Sequence, residues 1–222
     1  MGNRSGHRRP DDVYDDRADA GRRLGRHLAG LGLGEVVVLG VPRGGVPVAA
    51  EVAHALQAPL DAVIVRKVGI PGHAEVAMGA IGEGGVRVRD DELIAHAGVS
   101  DEAFTEAEAA ERATVNARVA RLRGGRPALD LTGRTALIVD DGIATGATAS
   151  AACRVARRLG AARVIVAAPV ASPLAVRKIT GADRVVCLQQ PEWFEAVGAY
   201  YRRFEQTTDD EVESLLRTVD AE

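Results

Sequence analysis

The 222-residue sequence predicts an α/β fold, a mostly parallel, twisted sheet covered by helices on both faces. Three observations lead there. Short aliphatic runs (Val36-Val37-Val38-Leu39, Ala136-Leu137-Ile138-Val139 and Val164 through Ala168) have no polar face, as strands buried on both sides require. Helical stretches alternate with these runs along the chain, the pattern of βαβ units. Aromatic residues are only 3% of the chain against 46% hydrophobic overall, so the core has to be built from Val, Ala, Leu and Ile.

The elements follow in order. Residues 1–10 are polar and basic and read as a disordered tail. Residues 11–222 read as a single domain with a core over about 35–190 and a helical closure over about 191–222. A first helix is expected over 11–33, capped by Asp11 or Asp12, with Val13, Ala20, Leu24, Leu28 and Leu31 at helical spacing. A strand at 36–39 leads into the glycine-rich turn Gly40-Val41-Pro42-Arg43-Gly44-Gly45. A helix over 46–56 follows, with Pro47 in its first turn where proline is tolerated. A strand over 60–65 completes a βαβ crossover.

Arg66 and Lys67 follow directly. Residues 68–75 are glycine-rich and read as a mobile loop. Residues 78–81 and 86–88 fit a short hairpin around Gly82-Glu83-Gly84-Gly85. Ser100 caps a long helix over 101–123, in which Phe104, Ala107, Val115, Val119 and Leu122 share one side and Glu and Arg cover the rest as a solvated surface; Gly124-Gly125-Arg126-Pro127 ends it. After the run at 136–139 come a helix towards Gly160, a strand at 164–168, a helix over 173–179 and a strand at 185–188. A turn over 189–194 carries Trp193, and helices over 195–203 and 209–219 close the chain.

A net charge of -3 argues against a nucleic-acid partner. No apolar stretch is long enough for a bilayer and no signal-peptide pattern is present, so a cytoplasmic protein without membrane contact is expected. Cys153 and Cys187 lie in apolar segments and read as buried free thiols of a reducing compartment.

The stretch from Ala136 to Thr148 concentrates the chemistry. A buried strand ends in two acids, Asp140 and Asp141; a small-residue turn follows, and then a helix begins. Open N–H groups and the dipole at a helix N-terminus hold a phosphate. Paired carboxylates beside such a cradle accept from ribose hydroxyls, so the combination suits a sugar phosphate. In a parallel sheet, ligands sit outside the carboxyl ends of the strands, so the turns after Leu39, Val65 and Val139 should share one cleft.

Val139-Asp140-Asp141-Gly142-Ile143-Ala144-Thr145-Gly146-Ala147-Thr148 resembles the phosphoribosyl pyrophosphate (PRPP) motif of type I phosphoribosyltransferases. Gly40-Val41-Pro42-Arg43-Gly44-Gly45 resembles the pyrophosphate loop of that family. Arg66-Lys67-Val68-Gly69-Ile70-Pro71-Gly72 resembles the Arg-Lys start of its flexible catalytic loop. The similarity spans roughly 36–188 and implies the fold of the family, with a small hood and extra helices.

The resemblance implies that Ile143, Ala144, Thr145, Gly146, Ala147 and Thr148 form the 5′-phosphate loop and that Asp140 and Asp141 bind the ribose. Arg43, Gly44, Arg66 and Lys67 would serve the pyrophosphate. Mg²⁺ would be held mainly through PRPP and water, with Asp140 and Asp141 nearby. The loop over 69–78 would close on the site. Glu75 is the nearest candidate for a general acid, and Trp193 and Phe194 are candidates for stacking on a base. In the 6-oxopurine enzymes an aspartate stands immediately before the Thr-Gly pair; here it is Ala144, which argues against hypoxanthine or guanine.

The implied activity is transfer of the 5-phosphoribosyl group to a nitrogenous, nucleobase-like acceptor with release of pyrophosphate. The alternative is a PRPP-binding regulator without turnover. The intact Arg66-Lys67 pair, with no segment reading as an added DNA-binding domain, favours the enzyme. Family members are often dimers, so a homodimer is expected.

Overall fold

The computed structural model describes residues 13–218. The tail expected over 1–10 and the proposed caps Asp11 and Asp12 lie outside them. Five strands form one parallel sheet in the order β2-β1-β6-β7-β8: β1 (Val36–Gly40), β2 (Leu60–Ala62), β6 (Thr135–Val139), β7 (Arg163–Val170) and β8 (Arg184–Gln189). Side chains alternate across this sheet. Val36 and Val38 of β1 join Leu137 and Val139 of β6 in one apolar layer, completed by α1 (Arg17–Ala29), α2 (Gly45–Leu56) and α7 (Asp209–Thr218). Val37, Leu39, Ala136 and Ile138 join the opposite layer with α5 (Ala147–Arg158) and α6 (Pro173–Lys178). Both faces are therefore dry, which is why these strands read as continuous apolar runs.

A second, three-stranded antiparallel sheet is built from β3 (Val65–Ile70), β4 (His73–Gly82) and β5 (Arg87–Arg89). It changes two expectations. The strand expected over 60–65 is split: β2 ends at Ala62, and Val65 begins β3 in the other sheet. The segment read as a mobile loop over 68–75 is a hairpin instead. Ile70 pairs with His73 across Pro71-Gly72, with Gly72 at φ +78. Proline followed by a glycine at positive φ is the signature of a tight turn, and here that local chemistry outweighs the polar composition. The hairpin expected around Gly82-Glu83-Gly84-Gly85 is present, with Ile81 opposite Arg87. A short helix not foreseen, α3 (Asp91–His96), follows it.

The long helix α4 spans Asp101–Arg123, as expected, with the Ser100 side chain accepting from the Ala103 N–H. Much of its outer face is exposed, as expected, with two exceptions among its charged residues. Glu108 and Arg123 are buried along with Phe104, Val115 and Leu122.

Both ends of the chain depart from the sequence reading for one reason. α1 begins at Arg17, with Asp16 as its cap, because residues 14 and 15 are in extended pairing with 201–203. The Tyr14 and Tyr201 rings lie 5.5 Å apart, and the Tyr14 hydroxyl donates to the Pro169 carbonyl. Two consecutive buried tyrosines, Tyr200 and Tyr201, fit an extended segment better than a helix. The helix expected over 195–203 is accordingly one 3-10 turn, Val197–Tyr200. Cys153 is buried and Cys187 half-buried rather than buried; both are free thiols, and burial pushes them up to about 12 and about 11. No helix among the described residues is long and apolar enough to cross a membrane.

Candidate functional site

In the order β2-β1-β6-β7-β8 the chain reverses direction of growth between β1 and β6, so the loops leaving these two strands part and open a crevice at their carboxyl ends. Those loops carry Gly40 through Gly45 and Asp140 through Thr148.

They are fitted to each other at close range. A Cβ on Gly44 would lie 2.1 Å from Asp141 Oδ2, and one on Gly45 would lie 2.6 Å from the Val139 carbonyl oxygen. Only glycine lets the start of α2 approach the acid pair so closely. Gly44 is the N-cap of α2 and makes no side-chain cap, so the Asp141 carboxylate sits at a helix N-terminus, where negative charge is favoured.

Asp141 also accepts from Arg17 Nε at 2.8 Å, and its backbone carbonyl accepts from the Tyr201 hydroxyl at 2.5 Å. Arg17 is fixed by donation to the Glu205 carbonyl and by lying 4.0 Å over the Phe204 ring. Burial raises Asp140 well above the ordinary carboxylate value, and the neighbouring Asp141 charge adds to it; the Asp141 N–H donating to Asp140 Oδ1 at 2.9 Å opposes the shift. Asp141 is raised by burial too, against the lowering effect of Arg17.

The phosphate loop divides in two. Thr145 and Thr148 are exposed at the start of α5, whose N-cap Gly146 makes no side-chain cap. A helix leaves its first N–H groups without intrahelical partners; here the Thr145 hydroxyl accepts from the Ala147 N–H at 3.4 Å, a long bond that an anion can replace. Ala144 is exposed, and Ala147 begins the helix. Ile143 is different: its side chain is buried, its N–H donates to the Val170 carbonyl and its carbonyl accepts from the Ser172 N–H. Its place among the expected ligand residues is corrected, because its backbone groups extend the sheet.

Beside the start of α5 lies a cleft of about 300 Å³, lined by Pro42, Arg66, Lys67 and Thr148, with Glu111 and Arg118 from α4. The segments after Leu39 and Val65 meet the first turns of α5 here, while Arg43, Asp140 and Asp141 are outside the lining; Arg66 and Lys67 come from a strand, β3, rather than a loop. Arg66 Nε donates to Glu111 at 2.7 Å. The peptide between Pro42 and Arg43 is cis, and the Arg43 carbonyl accepts from the Val46 N–H in the first turn of α2.

Glu75 falls in β4, and its side chain lies outside the described ones. Trp193 is 89% exposed beyond the carboxyl end of β8, whereas Phe194 stacks on Tyr200 at 5.7 Å as part of the aromatic packing. Sequence reasoning missed Arg17, Tyr201, Glu111 and Arg118. The first two meet Asp141 only through tertiary pairing. Glu111 and Arg118 carried a weak signal, lying seven residues apart and so on one side of a helix.

Known proteins give the same picture. The family described as the phosphoribosyl transferase domain matches residues 12–205. Over 205 residues, 92% of the chain, the sequence is 53% identical to a Mycobacterium tuberculosis protein, known from strains CDC 1551 and H37Rv, that carries the provisional name of phosphoribosyl transferase. The chain spans 46% of the length of those relatives, about half. A solved protein of Thermus thermophilus, TT1426, is 47% identical, with a TM-score of 0.85 over 92% of this chain and 97% of its own.

Proposed function

The chain belongs to the phosphoribosyl transferase domain family, and from that premise we propose that it moves the 5-phosphoribosyl group of PRPP to a nitrogenous, nucleobase-like acceptor. What supports this reading is the placement of the exposed start of α5 and the Asp140–Asp141 pair after one strand at the switch point, with Arg66 and Lys67 lining a cleft beside Thr148.

In this reading the N–H groups and hydroxyls of Thr145 and Thr148 hold the 5′-phosphate, and the acids accept from the ribose 2′- and 3′-hydroxyls. Arg43, Arg66 and Lys67 face the pyrophosphate. The bond from C1 of the ribose to the pyrophosphate oxygen breaks, with the electron pair leaving on pyrophosphate. The acceptor nitrogen lone pair forms the new bond to C1 and its proton is lost. No protein nucleophile is required, so positioning and electrostatics carry the rate.

Mg²⁺ binds through one or two carboxylates with substrate oxygens and water, and the adjacent Asp140 and Asp141 carboxylates would sit beside it. Bound there, it would neutralise charge developing on the leaving group. Ala144 leaves no acid before Thr145, which disfavours 6-oxopurine acceptors.

The test is pyrophosphate release from PRPP and Mg²⁺ across a panel of bases and amines. Release that depends on one acceptor is expected; PRPP binding without release from any acceptor would make the protein a PRPP sensor. Two variants probe the site itself. Lys67→Ala removes a charge-assisted contact worth about 1.5–3 kcal/mol, so kcat/KM for release should fall about 10- to 100-fold; an unchanged value removes Lys67 from the reaction. Gly44→Ala should displace Asp141 from Arg17 and weaken PRPP binding at least tenfold, by the loss of one such contact, while far-UV circular dichroism stays native. Wild-type affinity in that variant would show that Asp141 need not hold its position.

A further inference from the structure

α4 lies outside all three motifs, yet two of its side chains line the cation cleft. Glu111 accepts from Arg66 at Nε only, and the two terminal guanidinium nitrogens of Arg66 donate to no described residue. A guanidinium held by its Nε edge still presents a terminal pair of N–H groups that matches two phosphate oxygens.

Arg118 stands two turns further along the same helix, about 10 Å at 1.5 Å per residue. Its side chain is 29% exposed, and the acid it faces on α7, Asp209, is 3.9 Å away, beyond hydrogen-bond reach. Arg121 holds the other Asp209 oxygen, Oδ2, at 3.3 Å, while Oδ1, the oxygen nearest Arg118, is buried and accepts no hydrogen bond among the described residues, so no hydrogen bond ties Arg118 to Asp209. Arg118 therefore brings a planar set of donors to a half-buried wall of the cleft. The cleft then holds Arg66, Lys67 and Arg118 against one acid, Glu111, a balance suited to a polyanion.

We infer that α4 is a working wall of the substrate cleft: Arg118 binds the pyrophosphate end of the substrate, and Glu111 is a positioning residue that aims Arg66 at the same group. The inference rests on the PRPP reading.

Titration calorimetry with two probes, pyrophosphate with Mg²⁺ and ribose 5-phosphate, separates the possibilities. Arg118→Ala should weaken pyrophosphate binding about 10- to 100-fold, from the loss of a charged hydrogen bond, and leave ribose 5-phosphate binding as in the wild type. Arg118→Lys, which keeps the charge without the fork, should recover part of the loss. Glu111→Ala should raise KM for PRPP, and Glu111→Gln, which still accepts from Nε, should restore it. Unchanged pyrophosphate affinity in Arg118→Ala overturns the inference and leaves the PRPP reading standing. Equal losses for both probes mean that α4 only supports the fold, which also overturns it. A wild-type protein that binds neither probe overturns both readings together.

Discussion

Replacing Asp140 and Asp141 together by asparagine is expected to weaken PRPP binding by about 10²- to 10⁴-fold with the fold intact. Each ionised carboxylate accepting a ribose hydroxyl is worth about 1.5–3 kcal/mol, and each 1.4 kcal/mol is a factor of ten. The single variant Asp140→Asn carries a second, opposite expectation: it should be more stable than the wild type at neutral pH.

The sign follows from the shift. Burial holds the Asp140 carboxyl well above its ordinary value of 3.8. Between that value and the raised one, the folded chain keeps a proton that the unfolded chain releases. Stability therefore falls as pH rises through this window, and above it the full penalty remains. Asparagine removes the penalty and can still accept from the Asp141 N–H. Melting temperatures should thus favour Asp140→Asn at pH 7 and converge with the wild type below about pH 4. The same shift places the acid limb of PRPP binding above the ordinary carboxylate range, since a protonated acid is a poorer acceptor for the ribose. A variant that binds PRPP like the wild type, or that melts lower at pH 7, would remove Asp140 from its assigned place.

The strands and the phosphate helix are legible in the sequence because their causes are local. A strand buried on both faces must be apolar throughout, and a helix beginning at Ala147 follows a turn of small residues whatever the surroundings. The acid pair and the glycines that admit it are legible for the same reason, as neighbours in sequence. What stays hidden depends on partners far along the chain. Arg17 meets Asp141 across 124 positions, and Tyr14 pairs with Tyr201 by a bridge no periodicity announces. The hairpin at Pro71-Gly72 is different: its turn chemistry is in the sequence, but the surrounding glycine and charge mimic the composition of a mobile loop. The most consequential omission is α4. Its charged residues read as solvated on helical spacing alone, but Arg123 and Glu108 are buried, and Glu111 and Arg118 reach the cleft.

The anchor of that helix gives the largest expected effect on stability. Arg123, at the last turn of α4, is 7% exposed and grips Glu83 with Nε at 2.5 Å and a terminal nitrogen at 2.6 Å. Its other terminal nitrogen reaches both oxygens of Asp61, at 2.9 and 3.2 Å. Asp61 in turn accepts from the Ala62 and Leu129 N–H groups, so every member is held by more than one bond. The network ties α4 to β2 of the parallel sheet and to the turn between β4 and β5. Arg123→Ala leaves two buried carboxylates without a cation, which costs about 3–5 kcal/mol. For a domain near 200 residues that corresponds to a fall of about 6–20 °C in Tm. The cost lies in the orphaned charges rather than in the ion pairs themselves, because desolvation offsets much of their attraction. The triple variant Arg123→Met, Asp61→Asn, Glu83→Gln, which removes all three charges and keeps the acceptors for Ala62 and Leu129, should therefore recover most of the loss. Chemical denaturation of the single and triple variants decides the matter. A single variant within about 1 kcal/mol of the wild type, the ceiling for a solvated ion pair, would mean that water reaches the site. A triple variant no better than the single would mean that the salt bridges, and not the avoidance of bare charge, hold the wall of the cleft in place.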